Sequence, residues 1–293
     1  MGYCFWCGAW EDLTRAICPR CYDSWTRDYR KRNPAVKIWD CFLFRDELDL
    51  LECRLVQMDE WPVWRHVLVE ARVDHQGHPK PLVYAENKER FAPWADRIVH
   101  VVADELPGMA EASPMDREAA QRDSTIHGLG GASAGDWLIL ADVDEIPNEH
   151  ALAAVQDGQR GVLEMTCCIF AVDWLWGQPL RTSTVLPARG LGRLSAERRD
   201  GWNAGPVIPE AGHHLTWLGG RDGIAAKTTA HCHVECNGDL EAGYDDDRFY
   251  HDGVNPFARF GWPSGSLIPV DIDSTWPRWV REHRCPPGWF RPR

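Results

Sequence analysis

The densest chemistry in the 293 residues is Asp142-Val143-Asp144-Glu145, which directly follows the apolar run DWLIL. Such a run reads as a buried strand, and ligands of open α/β sheets bind at the carboxyl ends of strands. Residues i and i+2 of an extended turn point the same way. Asp142 and Asp144 are therefore placed to hold a hard divalent cation, Mn²⁺ or Mg²⁺, that bridges a diphosphate. Asp-x-Asp alone is common, so a solvated acidic loop is the plain alternative. Two chemistries use a metal held in this way. In a sugar-nucleotide transferase the ion stabilises the departing nucleoside diphosphate while a carboxylate takes the acceptor's proton. In a haloacid-dehalogenase-like phosphatase the first Asp is the nucleophile. Phosphatases of that type carry the motif on their first strand, whereas here residues 35–141 come first, which favours transfer.

Eleven cysteines occur, four of them as Cys4-x2-Cys7 and Cys18-x2-Cys21. Two such knuckles let four thiolates converge on one zinc ion at ~2.3 Å, and so short a segment folds on the metal's binding energy. Arg27, Arg30, Lys31 and Arg32 follow among Trp25 and Tyr29. This basic and aromatic stripe reads either as a nucleic-acid contact or as a solvated helix packed on the knuckle. Asn33-Pro34 then breaks the chain. Cys41, Cys53, Cys167, Cys168 and Cys285 read as buried thiols or bystanders. Late in the sequence, HCHVEC written as a strand puts His231, His233 and Glu235 on one face; Cys232 and Cys236 with a histidine form a second zinc alternative. His213 and His214 read as acceptor-loop or surface residues.

The elements that must position these groups follow a βα rhythm. Val36–Phe44 reads as a strand, and ELDLLECRLVQM as an amphipathic helix with Leu48, Leu51 and Leu55 on one face. WRHVLVEA ends a second strand at Glu70, a helix is expected from Leu82 to Trp94, and RIVHVVAD gives a third strand. Ser113 with Pro114 and Asp116 announces a capped helix carrying Glu118, Gln121 and Arg122 on one side. Pro147 is expected to open the helix after the acidic turn. Beyond GVLEMTCCIFAVDWLWG the rhythm fades. Of the sixteen tryptophans, many fall in these late loops, where sugar stacking and core filling are both open readings.

Acidic residues outnumber basic ones 44 to 32, giving a net charge of −12. A surface of that sign is a poor partner for duplex phosphates. No window approaches the ~20 apolar residues of a membrane span, and the start shows no leader pattern. A cytoplasmic protein without a membrane partner is expected, microbial or viral in a host cytoplasm.

IWDCFLFRDELDLLECRL, VLVEARVDHQGHPKPL, REAAQRD, ADVDEIP, AGHH and KTTAHCHVE occur in an order that resembles the seventeenth glycosyltransferase family, over about residues 36–240. The resemblance implies an inverting enzyme of GT-A type that uses a UDP-sugar, GlcNAc among the donors, and Mn²⁺. It places Asp142 by the nucleotide ribose and Asp144 on the metal, with Glu70, Glu118 and Arg122 around the donor. Through the family's Lys-x5-His-x-Glu pattern, begun here by Lys227, it points to His233 as a further metal ligand and to Glu235 as base; Asp173 is the competing base. Glu118 and Arg122 also read as an ordinary surface pair. Family members acting on secreted glycoproteins look like type II membrane proteins. This chain begins on a cysteine knuckle instead, and its acceptor stays open between a glycan, a protein side chain and a modified nucleobase.

The expected fold class is α/β: a GT-A-like, mostly parallel sheet flanked by helices over residues 34–293, preceded by a zinc-ribbon-like module over 1–33. The nucleotide-sugar half spans about 35–160 and the acceptor half about 161–293. A non-catalytic zinc-ribbon interaction protein with a glycan- or nucleotide-sugar-binding domain is the alternative from another class.

Overall fold

The computed structural model describes residues 37–104, 112–237, 248–254 and 266–292, together with the backbone of 2–3 and 10–11. The four expected zinc cysteines (Cys4, Cys7, Cys18 and Cys21) and the basic stripe lie outside the described residues. Near the start, Gly2–Tyr3 pairs antiparallel with Trp10–Glu11.

Strand β1 (Ile38–Leu43) is buried along its whole length, as a central parallel strand must be when both faces are covered. Helix α1 (Leu48–Met58) returns across the sheet. Leu51, Leu55 and Met58 are fully enclosed, a spacing of four and three residues that makes one apolar stripe. Each buried leucine there contributes roughly 1.5–3 kcal/mol. Strand β2 (Val63–Ala71) and strand β3 (Ile98–Ala103) add in parallel on one side of β1, and β4 (Trp137–Asp142) adds in parallel on the other. The order β3-β2-β1-β4 reverses direction between β1 and β4, where Leu43 stands beside Asp142. That reversal opens a crevice at the strand ends.

Between β2 and β3 the expected helix over 82–94 is two short pieces, Val83–Glu86 and a tight 3₁₀ stretch Lys88–Trp94. Asn87 leaves helical geometry between them and Pro93 lacks an amide proton to continue one. Helix α2 (Pro114–Asp123) carries the full capping box, with Ser113 accepting from the Asp116 amide and Asp116 accepting from the Ser113 amide. Its inner face is polar. Gln121 donates to the Val69 carbonyl at 2.8 Å and Arg122 to the Ala141 carbonyl at 3.1 Å, so the helix docks on strand-end carbonyls.

Past the acidic turn, Glu145–Pro147 forms the short strand β5, so Pro147 opens no helix. Asn148 caps α3 (Glu149–Gln156) through its side-chain oxygen on the His150 amide. The second half keeps more order than its sequence suggests. Strand β6 (Gly161–Ile169), β7 (Trp174–Leu175) and β8 (Leu180–Pro187) join the sheet, β8 lying antiparallel between β4 and β6. Helix α4 (Leu194–Ala204) follows, then β9 (Val207–Ile208), β10 (Gly212–Thr216) and helix α5 (Gly220–Thr228). A last strand, β11 (Ile268–Pro269), pairs with β7. The sheet is thus α/β and helix-flanked as expected, parallel in its first half and mixed in its second.

Trp174, Trp176, Trp217, Trp276, Trp279 and Trp289 are all buried, so most of the late tryptophans fill core. Among the described residues no helix is long and apolar enough to cross a membrane.

Candidate active site

A cavity of about 550 Å³ opens at the carboxyl ends of β1 and β4, where the chain reverses. Asp142, Asp144 and Glu145 lie in its wall with Glu47, His75, Glu118, Arg198, His214, Trp217 and Lys227. Arg54 of α1, itself buried against Asp40, donates to the backbone carbonyls of Asp142 and Glu145 and so fixes the course of the acidic turn.

Each carboxylate of that turn has a protein cation. Arg198, from α4, lays its guanidinium across both oxygens of Asp142 at 3.0 and 2.9 Å and reaches Glu145 at 2.6 Å. Arg122 adds a third bond to Asp142 at 2.7 Å and bonds Glu118 at 2.8 Å. Burial alone would raise the Asp142 pKa, but the two arginines outweigh it and hold the carboxyl well below its usual range. Glu145 spends its other oxygen on Ser183 and the Asp142 amide.

Asp144 belongs to a second group. Because β10 pairs with both β5 and β6, His214 lies opposite Glu145, and Leu215 donates to the Asp144 carbonyl. The side chains of His214 and Thr216, two residues apart on one strand face, meet Lys227 there. The Lys227 ammonium donates to Asp144 Oδ2 at 2.8 Å and to Thr216 Oγ1 at 2.7 Å, and His214 Nε2 stands 3.4 Å from the same Oδ2. Burial disfavours the charges of both Asp144 and His214. Lys227 and then His214 nevertheless hold the carboxyl low, and Asp144 raises the imidazole well above its ordinary range. His213 points the other way, into the core against Trp276 with ring centroids 4.9 Å apart, and burial lowers it to about 4.

Helix α2 supplies the far wall. Gln121 uses its amide protons on Val69, so its Oε1 accepts from His75 Nε2 at 3.0 Å. The Cys232 thiol donates to Glu118 Oε2 at 3.3 Å; burial and that carboxylate keep it protonated. His231 packs edge-on against Trp217 at 4.9 Å, and burial pushes it down to about 4. Gln76 ties this wall to the end of α5 through the Thr228 and His231 carbonyls.

The expected site residues divide sharply. Asp142, Asp144, Glu118 and Arg122 meet at one place, whereas Glu70 does not line the cavity. It is fully buried among Lys80, His100 and the Tyr84 amide. Asp173 is tied to the Arg291 amide and guanidinium near the chain's end, away from the cavity. The segment after His231 is a turn and a 3₁₀ stretch, Val234–Cys236, so the expected one-sided strand does not form. His233 reaches the cavity rim but pairs with Glu235, which stands in solvent outside the lining. Of the second zinc alternative, the Cys232 thiol donates to Glu118, and the side chain of Cys236 lies outside the described residues. His213 and His214, expected at the surface or in an acceptor loop, are strand residues, His213 buried and His214 half-buried in the cavity wall; alternation of neighbouring side chains in AGHHLTW is the signal that separates them. Arg198 had no sequence signal, standing among several arginines of a polar helix.

A divalent cation does not fit this donor set. Both Asp142 oxygens are held by guanidinium groups, and the Asp144 oxygen that faces partners carries an ammonium and an imidazole. Among the described residues no three His, Cys, Asp or Glu side chains converge as a metal cage. The same pairing removes the phosphatase alternative, which needs a free Asp142 oxygen as nucleophile.

Among solved structures, the crystal structure of S. aureus TarS 1-349 overlays with a TM-score of 0.35 at 10% identity, over 76% of this chain and 74% of that one. At that score the overlay carries no argument here. No curated protein matches the sequence. Residues 17–182 match the model of the family described as Glycosyltransferase family 17, a span that starts ahead of the expected boundary at 33 and stops before the AGHH and KTTAHCHVE blocks. The match covers more than half of the chain, and its ADVDEIP block forms the acidic turn in the cavity wall: the protein belongs to glycosyltransferase family 17 and is a sugar-transferring enzyme.

Proposed function

We propose that the enzyme moves a sugar, GlcNAc among the donors to test, from a UDP-sugar to an acceptor hydroxyl with inversion at the anomeric carbon. The observation that carries this reading is the position of the cavity, at the reversal between β1 and β4 with the acidic turn and Lys227 in one wall. The donor's diphosphate lies along that wall. Glu118, in the wall with its Oε2 shared with a thiol and nothing stronger, is the base in this reading. The acceptor oxygen attacks the anomeric carbon and its proton passes to Glu118. The bond from that carbon to the diphosphate breaks, and its electron pair leaves with the diphosphate.

A panel of UDP-sugars with glycan, peptide and nucleoside acceptors tests the reading by mass shift of the acceptor. Glu118→Gln is expected to lower kcat by ~10²–10⁴ while UDP affinity stays within a few fold. Unchanged turnover in that variant removes Glu118 as the base, and no mass shift with any donor and acceptor removes the proposed donor class.

A further inference from the structure

We propose that Lys227 is the cation that receives the departing diphosphate, so that this transferase works without a bound divalent metal. The inference rests on the nucleotide-sugar reading above. Three observations carry it.

First, three of the four oxygens of the acidic pair are already held by protein cations. Freeing Asp142 for a metal means breaking the buried fork from Arg198 that also holds Glu145. Removing one partner of such a pair leaves an uncompensated buried charge. Second, the local charge is close to balance without a metal. Asp142, Asp144, Glu145 and Glu118 face Arg122, Arg198 and Lys227, with His214 beside them. A divalent ion approaching Asp144 Oδ2 meets an ammonium already 2.8 Å from that oxygen. Third, Lys227 is built to serve an anion. An ammonium has three protons, and its two bonds to Asp144 and Thr216 leave the third for a phosphate oxygen. Its side chain keeps 21% of its surface open in the cavity wall. A charge-assisted bond to a leaving group that gains negative charge strengthens as the sugar departs. Asp144 then acts as the anchor that aims the ammonium, a role that explains an acidic turn whose oxygens face cations.

The test uses the full chain in buffer passed over chelating resin, with protein-bound manganese and zinc read by mass spectrometry. Calorimetry follows inorganic pyrophosphate and UDP with and without added Mn²⁺. Both are expected to bind in the metal-free buffer, with less than a twofold gain from Mn²⁺. Lys227→Met is expected to weaken both by tenfold or more and Lys227→Arg by less than threefold. Because Lys227→Met leaves Asp144 with only His214 as its counter-charge, Lys227→Met with Asp144→Asn is run beside it and is expected to show the same loss at wild-type melting temperature. Binding that needs Mn²⁺, binding unaffected in both Lys227 variants, or no binding of either probe under any condition overturns the inference. Turnover of UDP-sugars that appears only with Mn²⁺ overturns it too and leaves the donor reading standing. Metal-free, Lys227-dependent pyrophosphate binding without turnover of any UDP-sugar sinks the donor reading and leaves the anion site.

Discussion

His213 and His214 are neighbours with opposite charge behaviour, because alternate side chains of a strand face opposite sides of the sheet. His213 titrates at about 4 in the folded protein, against about 6.5 for a free imidazole. The unfolded chain therefore binds this proton first as pH falls, and stability declines between about pH 6.5 and 4 by up to about 3 kcal/mol from this group. Melting temperatures across that window are expected to fall more steeply in the wild type than in His213→Leu, and equal slopes would clear His213 of the effect. Arg198→Met strands the buried Glu145 carboxylate and leaves the half-buried Asp142 with Arg122 alone, and is expected to cost up to about 3 kcal/mol in denaturant unfolding. Adding Asp142→Asn and Glu145→Gln should return much of it, since no charge is then left alone. The acidic half of this network was legible in the sequence, because three carboxylates at the end of an apolar run are a local pattern. Its cationic half was not. Arg122 excepted, its cations lie far off in sequence: Arg198 and Lys227 stand 56 and 83 residues beyond the aspartates they pair with, and Lys227 was marked only as the start of a family pattern, with no sign that it meets Asp144.

At the scale of elements, helix α5 is what brings Lys227 to the turn, and its entry is tightly packed. A Cβ on Gly223 would stand 2.0 Å from the Leu218 carbonyl oxygen, a backbone atom with no rotamer to escape by. Gly223→Ala is expected to cost roughly 1–3 kcal/mol and to shift α5, lowering pyrophosphate affinity although no ligand group is changed. Unaltered affinity and melting temperature would show that α5 gives way at no cost. Elements governed by local rules were readable: the stripe of α1 and the Ser113 capping box both stand where their residues placed them. Those decided by pairing were not. Pro147 fills a strand because β10 arrives to pair with it, and Gly212 beside it is the residue without a side chain that the contact requires.

On the scale of the whole chain, one sheet joins strands from both the nucleotide-sugar half and the acceptor half. The family match ends at Thr182, inside β8. A fragment of residues 17–182 would lack Arg198, His214 and Lys227 and would leave β6 without β9 and β10. It is expected to be insoluble or to show no cooperative melting, and a sharp thermal transition in that fragment would contradict the single-sheet picture. The sixteen tryptophans were visible from composition, but their work was not, because the surfaces they cover are made far away in sequence. Trp276, Trp279 and Trp289 close the cluster built on Leu51 and Leu55 of α1, and Arg278 bonds the Val56 carbonyl and the Gln57 side chain. Trp276 follows Met58 by 218 positions. At the ~5–20 residues per second of translation, the oily side of that early helix waits on the ribosome for about 10 to 40 seconds before its cover emerges. Newborn chains of this enzyme are thus expected to pass through a long interval in which that apolar face is open to association with other chains.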